Sequence, residues 1–203
     1  MITLIDYNAG NTGSLINTFR SIGVSCRIGA TASDIASASA LVLPGVGAAK
    51  SGMDELIKRG LDHAIRTAIQ NGVPFLGICL GMQLLFEYSE EGATPGLGIL
   101  KGRVVRFRKE RKVPQIGWNT VTVNRNNPEA VRLFAGIPES EFYFVNSYYP
   151  MPEDARIIAA TTEYGEVFAS AVCSGNIFAT QFHPEKSSAA GMHVLQNFIK
   201  ENL

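Results

Sequence analysis

The chain has 203 residues, a hydrophobic fraction of 46%, and equal numbers of basic and acidic residues, 18 of each. This length and composition are typical of a globular domain with a full hydrophobic core, so we predict that residues 1–203 form a single domain. The lack of a basic excess argues against nucleic acid as a partner, and the apolar runs are too short or too interrupted to span a membrane.

The cysteines Cys26, Cys79 and Cys173 include no CxxC pair. A sparse, odd-numbered set disfavours a disulfide framework and a zinc site, and we predict neither a metal nor a cofactor. The N-terminal segment MITLIDYNAGN has no basic stretch before its apolar residues, so it does not resemble a signal peptide. These features favour a cytoplasmic location.

Short apolar strands alternate with helical periodicity in the first half of the chain. Strands are predicted at 2–7, 25–28, 40–43 and 74–78, and helices at 11–22, 33–37, 47–71 and 80–88. Strands that alternate with helices across short loops predict a mostly parallel, open sheet with helices on both faces.

The second half is richer in short segments of β-branched and aromatic residues. These segments lie near 103–107, 120–123, 141–149, 157–162, 167–172 and 176–182, and turn signals separate them. We interpret them as antiparallel strands added to the sheet, followed by a helix at 188–201. The predicted fold class is therefore α/β with inserted β structure.

The segment VPFLGICLGMQLLF, residues 73–86, sets Cys79 between Gly77 and Gly81. A strand that turns at once into a helix holds the middle residue in a strained conformation above the carboxyl edge of the sheet. The helix N-terminus favours a thiolate there, and the N–H of Leu80 can point at an oxyanion. The pentapeptide alone equally allows a small buried thiol.

A candidate base for such a nucleophile lies in the motif QFHPE. His183 ends a predicted strand, Pro184 stops that strand, and Glu185 can orient the imidazole ring. The other two histidines, His63 and His193, lie in predicted helices and are interpreted as surface or packing residues.

The segment LVLPGVG, residues 41–47, ends a strand in a glycine-rich turn before a predicted helix. One interpretation is an ordinary strand-to-helix turn. The other is a second source of oxyanion-binding backbone N–H groups, from Val46 and Gly47.

In this order, PGVG, GICLGMQLLFE and QFHPEKS are similar to the motifs of class I (triad-type) glutamine amidotransferases, and the similarity covers nearly the whole chain. PQIGWN and FYFVNSYY resemble the family of glutaminase subunits of imidazole glycerol phosphate synthase, an enzyme of histidine biosynthesis. The resemblance implies a flavodoxin-like fold and glutaminase activity. It also implies a heterodimer with a separate cyclase subunit that uses the ammonia.

The same resemblance implies roles for individual residues. Cys79 would attack the amide carbon of glutamine, His183 would transfer protons, and Glu185 would orient His183. The residues that would bind glutamine are Gln83, Glu91, Ser147 and Tyr148. Those that would face the cyclase are Asn11, Trp118 and Lys186. For the last two, a core tryptophan and a solvated lysine are equally good interpretations.

Many members of the family have His where this sequence has Asn146, a change outside the triad.

Three alternative functions stay open. A paralogous glutaminase could feed another synthase, for example in surface-sugar assembly, with the same triad. A partner-free cysteine hydrolase is disfavoured by QFHPE and GMQ. A non-catalytic subunit is disfavoured by the intact Cys, His and Glu set.

Overall fold

The computed structural model describes residues 1–10, 12–108 and 112–203. Its strands are, in chain order, β1 Ile2–Ile5, β2 Cys26–Gly29, β3 Ala40–Leu43, β4 Phe75–Ile78, β5 Phe86–Ser89, β6 Thr94–Pro95, β7 Leu100–Arg106, β8 Gln115–Val123, β9 Ser140–Asn146, β10 Tyr148–Pro152, β11 Ile158–Glu163, β12 Val167–Ser174 and β13 Ile177–Thr180. Its α-helices are α1 Thr12–Ser21, α2 Ala32–Ala36, α3 Ala49–Lys58, α4 Leu61–Gln70, α5 Leu80–Gln83, α6 Pro128–Leu133 and α7 Ser188–Asn202. In these described ranges, no helix combines the length and apolarity needed to cross a membrane.

The larger sheet has the strand order β2-β1-β3-β4-β13-β12-β11-β8-β9. Neighbouring strands from β2 to β13 are parallel, and those from β13 to β9 are antiparallel. The mostly apolar strands β1, β3, β4 and β13 are buried along their whole length, as expected for parallel strands covered on both faces.

Two hydrophobic cores lie on the two faces of this sheet. One core receives α1, α6 and α7, and the other receives α2 to α5. Successive residues of a strand point to opposite faces, and on β3 Ala40 and Val42 pack in the first core while Leu41 and Leu43 pack in the second. The predicted α/β architecture with helices on both faces is confirmed.

Four strands form a second, smaller sheet in the order β10-β7-β5-β6. The prediction that the segment near 103–107 adds to the main sheet is therefore wrong, because β7 pairs with β5 and β10 instead. The predicted strand at 141–149 is two strands in different sheets, since the chain leaves β9 after Asn146 and enters β10 at Tyr148.

Two predicted helices differ from the structure. The helix predicted at 47–71 is α3 and α4, because Gly60 between them adopts a left-handed φ of 66°. The helix predicted at 80–88 ends after one turn, and Phe86–Ser89 forms β5. The apolar residues Leu84, Leu85 and Phe86 are buried although the helix has ended, and a short buried apolar run is compatible with a helix or a strand, so periodicity alone could not distinguish them.

The strand predicted at 176–182 was expected to be antiparallel, but β13 runs parallel to β4 and antiparallel only to β12. Helix α6 was missed, although Asn127 caps it and Pro128 occupies its first turn. The turn signals that follow the segment at 120–123 include NRNNP, and Asn followed by Pro is also a helix N-terminal signal.

Candidate active site

Cys79 lies at a strained turn between β4 and α5. Its backbone has φ 55° and ψ −108°, a conformation that residues other than glycine rarely adopt. The Cys79 N–H donates to the carbonyl of Thr180 at 2.7 Å, and the Cys79 carbonyl accepts from the N–H of Met82 at 3.0 Å. These bonds hold the turn, so the structure has the strand–turn–helix geometry that the sequence predicts around Cys79.

The two glycines that flank this cysteine are required by close packing. A Cβ atom on Gly81 would lie 1.9 Å from the carbonyl oxygen of Leu43, at the end of β3. A Cβ atom on Gly77 would lie 2.8 Å from the carbonyl oxygen of Gly81. Neither oxygen is the end of a flexible side chain, so only glycine lets α5 begin this close to the sheet.

His183 reaches Cys79 because β13 and β4 are adjacent and in register, with Thr180 beside Ile78. Its Nδ1 lies 2.9 Å from Oε1 of Glu185, and both side chains are 3% exposed. Burial by itself would lower the pKa of His183. The hydrogen bonds and negative charges of Cys79 and Glu185 outweigh that effect and raise the pKa to about 10. The surroundings of His183 therefore stabilise the imidazolium that forms when this side chain accepts a proton.

Most of the predicted site residues line one cavity of about 350 Å³, a volume that suits an amino-acid ligand. It brings together Val46, Gly47, Cys79, Leu80, Gln83, Glu91, Ser147, Tyr148, His183 and Lys186.

The other two histidines, His63 and His193, are exposed on helices α4 and α7. Among the residues described, no group of three or more His, Cys, Asp or Glu side chains could hold a metal ion.

Two of the three candidate oxyanion donors are bonded to backbone in this structure. The N–H of Val46 donates to the carbonyl of Ala9 at 2.8 Å, and the N–H of Leu80 donates weakly to the carbonyl of Gly45 at 3.4 Å. The Tyr7 hydroxyl donates to the Pro44 carbonyl at 2.9 Å and so holds the same turn. An oxyanion hole built from these N–H groups stays a prediction, and it requires the PGVG turn to reorient.

The candidate glutamine-binding residues are held by bonds to neighbouring elements. Nε2 of Gln83 donates to the Tyr148 carbonyl at 2.9 Å, and Nδ2 of Asn146 donates to the same carbonyl at 3.0 Å. Oε2 of Glu91 accepts from the N–H of Ala49, in the first turn of α3, at 2.8 Å. The site wall thus depends on contacts between β9, β10, α5 and α3.

Several residues of the site have no local sequence signal. Gln181 is completely buried, and its Nε2 lies 3.5 Å from Sγ of Cys79. The Tyr143 carbonyl accepts from the His183 N–H at 2.9 Å, and the Tyr143 N–H donates to Oγ of Ser187 at 3.0 Å. These contacts join β9 to the His-Pro-Glu turn, and sheet pairing between distant segments decides them.

A patch of side chains, here called the outer patch, lies beside the cavity and consists of the exposed residues Ile116, Trp118, Val145 and Lys186 and the half-buried Tyr143. Trp118 is 49% exposed and packs edge-on to Tyr143, with ring centroids 6.0 Å apart. Nζ of Lys186 lies 5.9 Å from the Tyr143 ring centroid. Trp118 is thus not a core residue. Asn11, the third residue predicted to face the cyclase, lies outside the described residues.

Comparison with known proteins identifies the fold and the family of this chain. The model of the family "Glutamine amidotransferase class-I" matches residues 3–202. A solved structure titled "Crystal structure of glutamine amidotransferase" superposes with a TM-score of 0.75 at 18% identity and covers 98% of each chain, which shows the same fold. The fold and the family match define a class-I glutamine amidotransferase.

Relatives with higher sequence identity show to which family of class-I glutamine amidotransferases the chain belongs. The proteins named "Imidazole glycerol phosphate synthase subunit HisH" from Dehalococcoides mccartyi and Syntrophotalea carbinolica are each 46% identical to this chain. The match covers 98% of this chain in both cases, and 97% and 98% of those proteins. The chain belongs to the HisH family of class-I glutamine amidotransferases.

Proposed function

We propose that this chain is the glutaminase subunit of imidazole glycerol phosphate synthase. It hydrolyses glutamine to glutamate and passes the ammonia to a separate cyclase subunit, in histidine biosynthesis. The observation that carries the proposal is Cys79, which stands on a strained turn in one cavity with His183, whose Nδ1 is paired with the buried Glu185, in a chain 46% identical to HisH subunits. The names of these relatives favour this function over a glutaminase for surface-sugar assembly.

The proposed chemistry is acyl transfer through a thioester. The thiol proton of Cys79 passes to His183, and the sulfur attacks the side-chain amide carbon of glutamine. His183 then gives a proton to the departing nitrogen, which leaves as ammonia. Water deprotonated by His183 attacks the thioester carbon, the C–S bond breaks, and the proton on His183 returns to the sulfur as glutamate is released. Glu185 keeps Nδ1 of His183 bonded, so that Nε2 faces the reacting atoms.

The polar ends of glutamine would be bound by the wall opposite the nucleophile. Both hydrogens of Gln83 Nε2 are already used, by Tyr148 and Gln181, so its Oε1 is the atom left to accept a bond from the substrate ammonium group. The carboxylate of Glu91 adds negative charge on the same side of the cavity. Ser147, between β9 and β10, and Tyr148, the first residue of β10, would hold the opposite end of the substrate.

The cyclase subunit would dock on the outer patch and form a heterodimer. A half-exposed Trp beside a Tyr and a Lys is typical of a protein interface, where aromatic anchors carry much of the binding energy. Val145 and Lys186 line both this patch and the cavity. Ammonia released at Cys79 would therefore leave next to the bound partner.

Reconstitution with a cyclase subunit tests the function. The isolated chain should hydrolyse glutamine slowly, because the N–H groups of Val46 and Leu80 are bonded to backbone carbonyls. Adding the cyclase with its nucleotide ligand should raise glutamate formation about 100-fold or more, the effect of one correctly placed oxyanion donor. Full glutaminase activity of the isolated chain would contradict the coupling to the cyclase, and no synthesis of imidazole glycerol phosphate from glutamine by the pair would contradict the proposed function.

Replacing Trp118 by alanine should weaken binding of the cyclase about 30-fold, because truncating an aromatic anchor typically costs about 2 kcal/mol. The isolated variant should unfold at the same temperature as the unsubstituted chain, since Trp118 is half exposed. Titration calorimetry measures the affinity. Val131→Ala, an exposed apolar residue on α6, is the matched control and should bind normally. If the two variants bind the cyclase with equal affinity, Trp118 is not part of the interface.

A further inference from the structure

Gln181 is a buried polar residue that the chemistry above does not use. It follows the last residue of β13, is 0% exposed, and stands two residues before His183. Its Nε2 lies 3.5 Å from Sγ of Cys79, within hydrogen-bonding distance for a sulfur acceptor. A buried amide beside the reacting sulfur is costly to place there unless its polar atoms are bonded.

The orientation of the Gln181 amide is determined by a chain of donors that starts at a backbone carbonyl. The Tyr148 carbonyl can only accept, so the Gln83 group that faces it at 2.9 Å must be the NH₂. The second hydrogen of that NH₂ points to Oε1 of Gln181, also at 2.9 Å. The NH₂ of Gln181 therefore faces the sulfur. A flipped Gln181 amide would set two NH₂ groups against each other and a carbonyl oxygen against Cys79.

We propose that Gln181 is a positioning residue that donates a hydrogen bond to Sγ of Cys79, holds the sulfur toward the cavity, and favours its thiolate form. Gln83 and the Tyr148 carbonyl keep the Gln181 amide in the donating orientation. A thiolate accepts hydrogen bonds more strongly than a thiol, and a bond to the charged form of a group stabilises that form. The inference rests on the proposed role of Cys79 as nucleophile.

This arrangement also couples the binding of glutamine at Gln83 to the reactivity of the Cys79 sulfur. Gln83 is the residue whose free Oε1 would accept from glutamine, and its NH₂ holds Gln181. A bound substrate that fixes Gln83 would therefore fix the donor at the sulfur as well. The same link predicts that a change at Gln83 alters the reactivity of Cys79 even when no glutamine is present.

The test is the pH dependence of alkylation of Cys79 by iodoacetamide in the full chain, followed by mass spectrometry of the peptide that contains it. Gln181→Met keeps the length of the side chain and removes the donor. Alkylation at pH 7 should fall about tenfold and its pH midpoint should rise by about one unit, the effect of one hydrogen bond to a charged group. Ser170→Ala is the matched control, because this buried hydroxyl on β12 has no bonding partner among the described residues. It should alkylate normally.

Gln83→Met provides a second, independent measurement. It leaves Gln181 in place but frees its amide to rotate, so the alkylation midpoint should rise by less than in Gln181→Met. An unchanged midpoint in folded Gln181→Met overturns the inference, and if that variant does not fold, an unchanged midpoint in Gln83→Met overturns it. If instead the proposed role of Cys79 as nucleophile is wrong, Cys79→Ala would retain glutaminase activity. That result distinguishes a failure of the proposed function from a failure of the inference about Gln181.

Discussion

Cys79→Ala should lower glutamine-dependent synthesis by the reconstituted pair about 10⁴-fold or more, because no other thiol among the described residues lies on the cavity wall. Synthesis from added ammonium should be unchanged. Ammonia is the group that the nucleophile releases, and a cyclase that receives it from solution no longer needs Cys79.

The two rates are measured side by side, with glutamine or ammonium chloride as the nitrogen source and the same cyclase subunit. Cys26→Ala is the matched control, since Cys26 is half-buried on β2 and does not line the cavity. It should retain both activities. Glutamate formation by Cys79→Ala at the unsubstituted rate would show that another residue is the nucleophile.

Glu185→Gln should reduce glutaminase activity about 10³-fold, because the amide keeps the shape of the carboxylate but not its charge. Oε2 of Glu185 has no partner among the described residues, so the new NH₂ group breaks no existing hydrogen bond. Without that charge the pKa of His183 should fall below its value of about 10. The imidazolium that forms when His183 takes the thiol proton of Cys79 is then less stable, so the sulfur is activated less readily.

The pH dependence of unfolding follows from the same pair. The pKa of His183 is raised from 6.5 to about 10 in the folded chain. Protonated His183 therefore adds stability that is complete below pH 6.5 and is lost as the pH rises toward 10. In Glu185→Gln this loss should begin at lower pH, which thermal unfolding at a series of pH values detects. Glu163→Gln, on the exposed side of β11, should behave like the unsubstituted chain.

The local sequence pattern was sufficient to predict a segment where a single kind of interaction determines the structure of that segment. The apolar strands β1, β3 and β4 could be predicted because a parallel strand buried on both faces needs a short continuous apolar run. Gly77 and Gly81 were informative because a Cβ at either position would meet backbone. Pattern was insufficient where a short buried apolar run is compatible with either conformation, as at residues 84–86, where α5 has ended and β5 begins.

The sequence by itself determined the fold class and the residues with chemical character: Cys79 on its turn, and His183 with Glu185 two residues later. Only the tertiary structure decided that β13 lies parallel to β4, which brings these groups to one edge of the sheet. It alone decided that the backbone N–H groups of Val46 and Leu80 donate to backbone carbonyls. It also decided that Trp118 is exposed and that the NH₂ of Gln181 faces Sγ of Cys79. The physical reason is that hydrogen bonds and burial between segments distant along the chain leave no periodic signal in either segment.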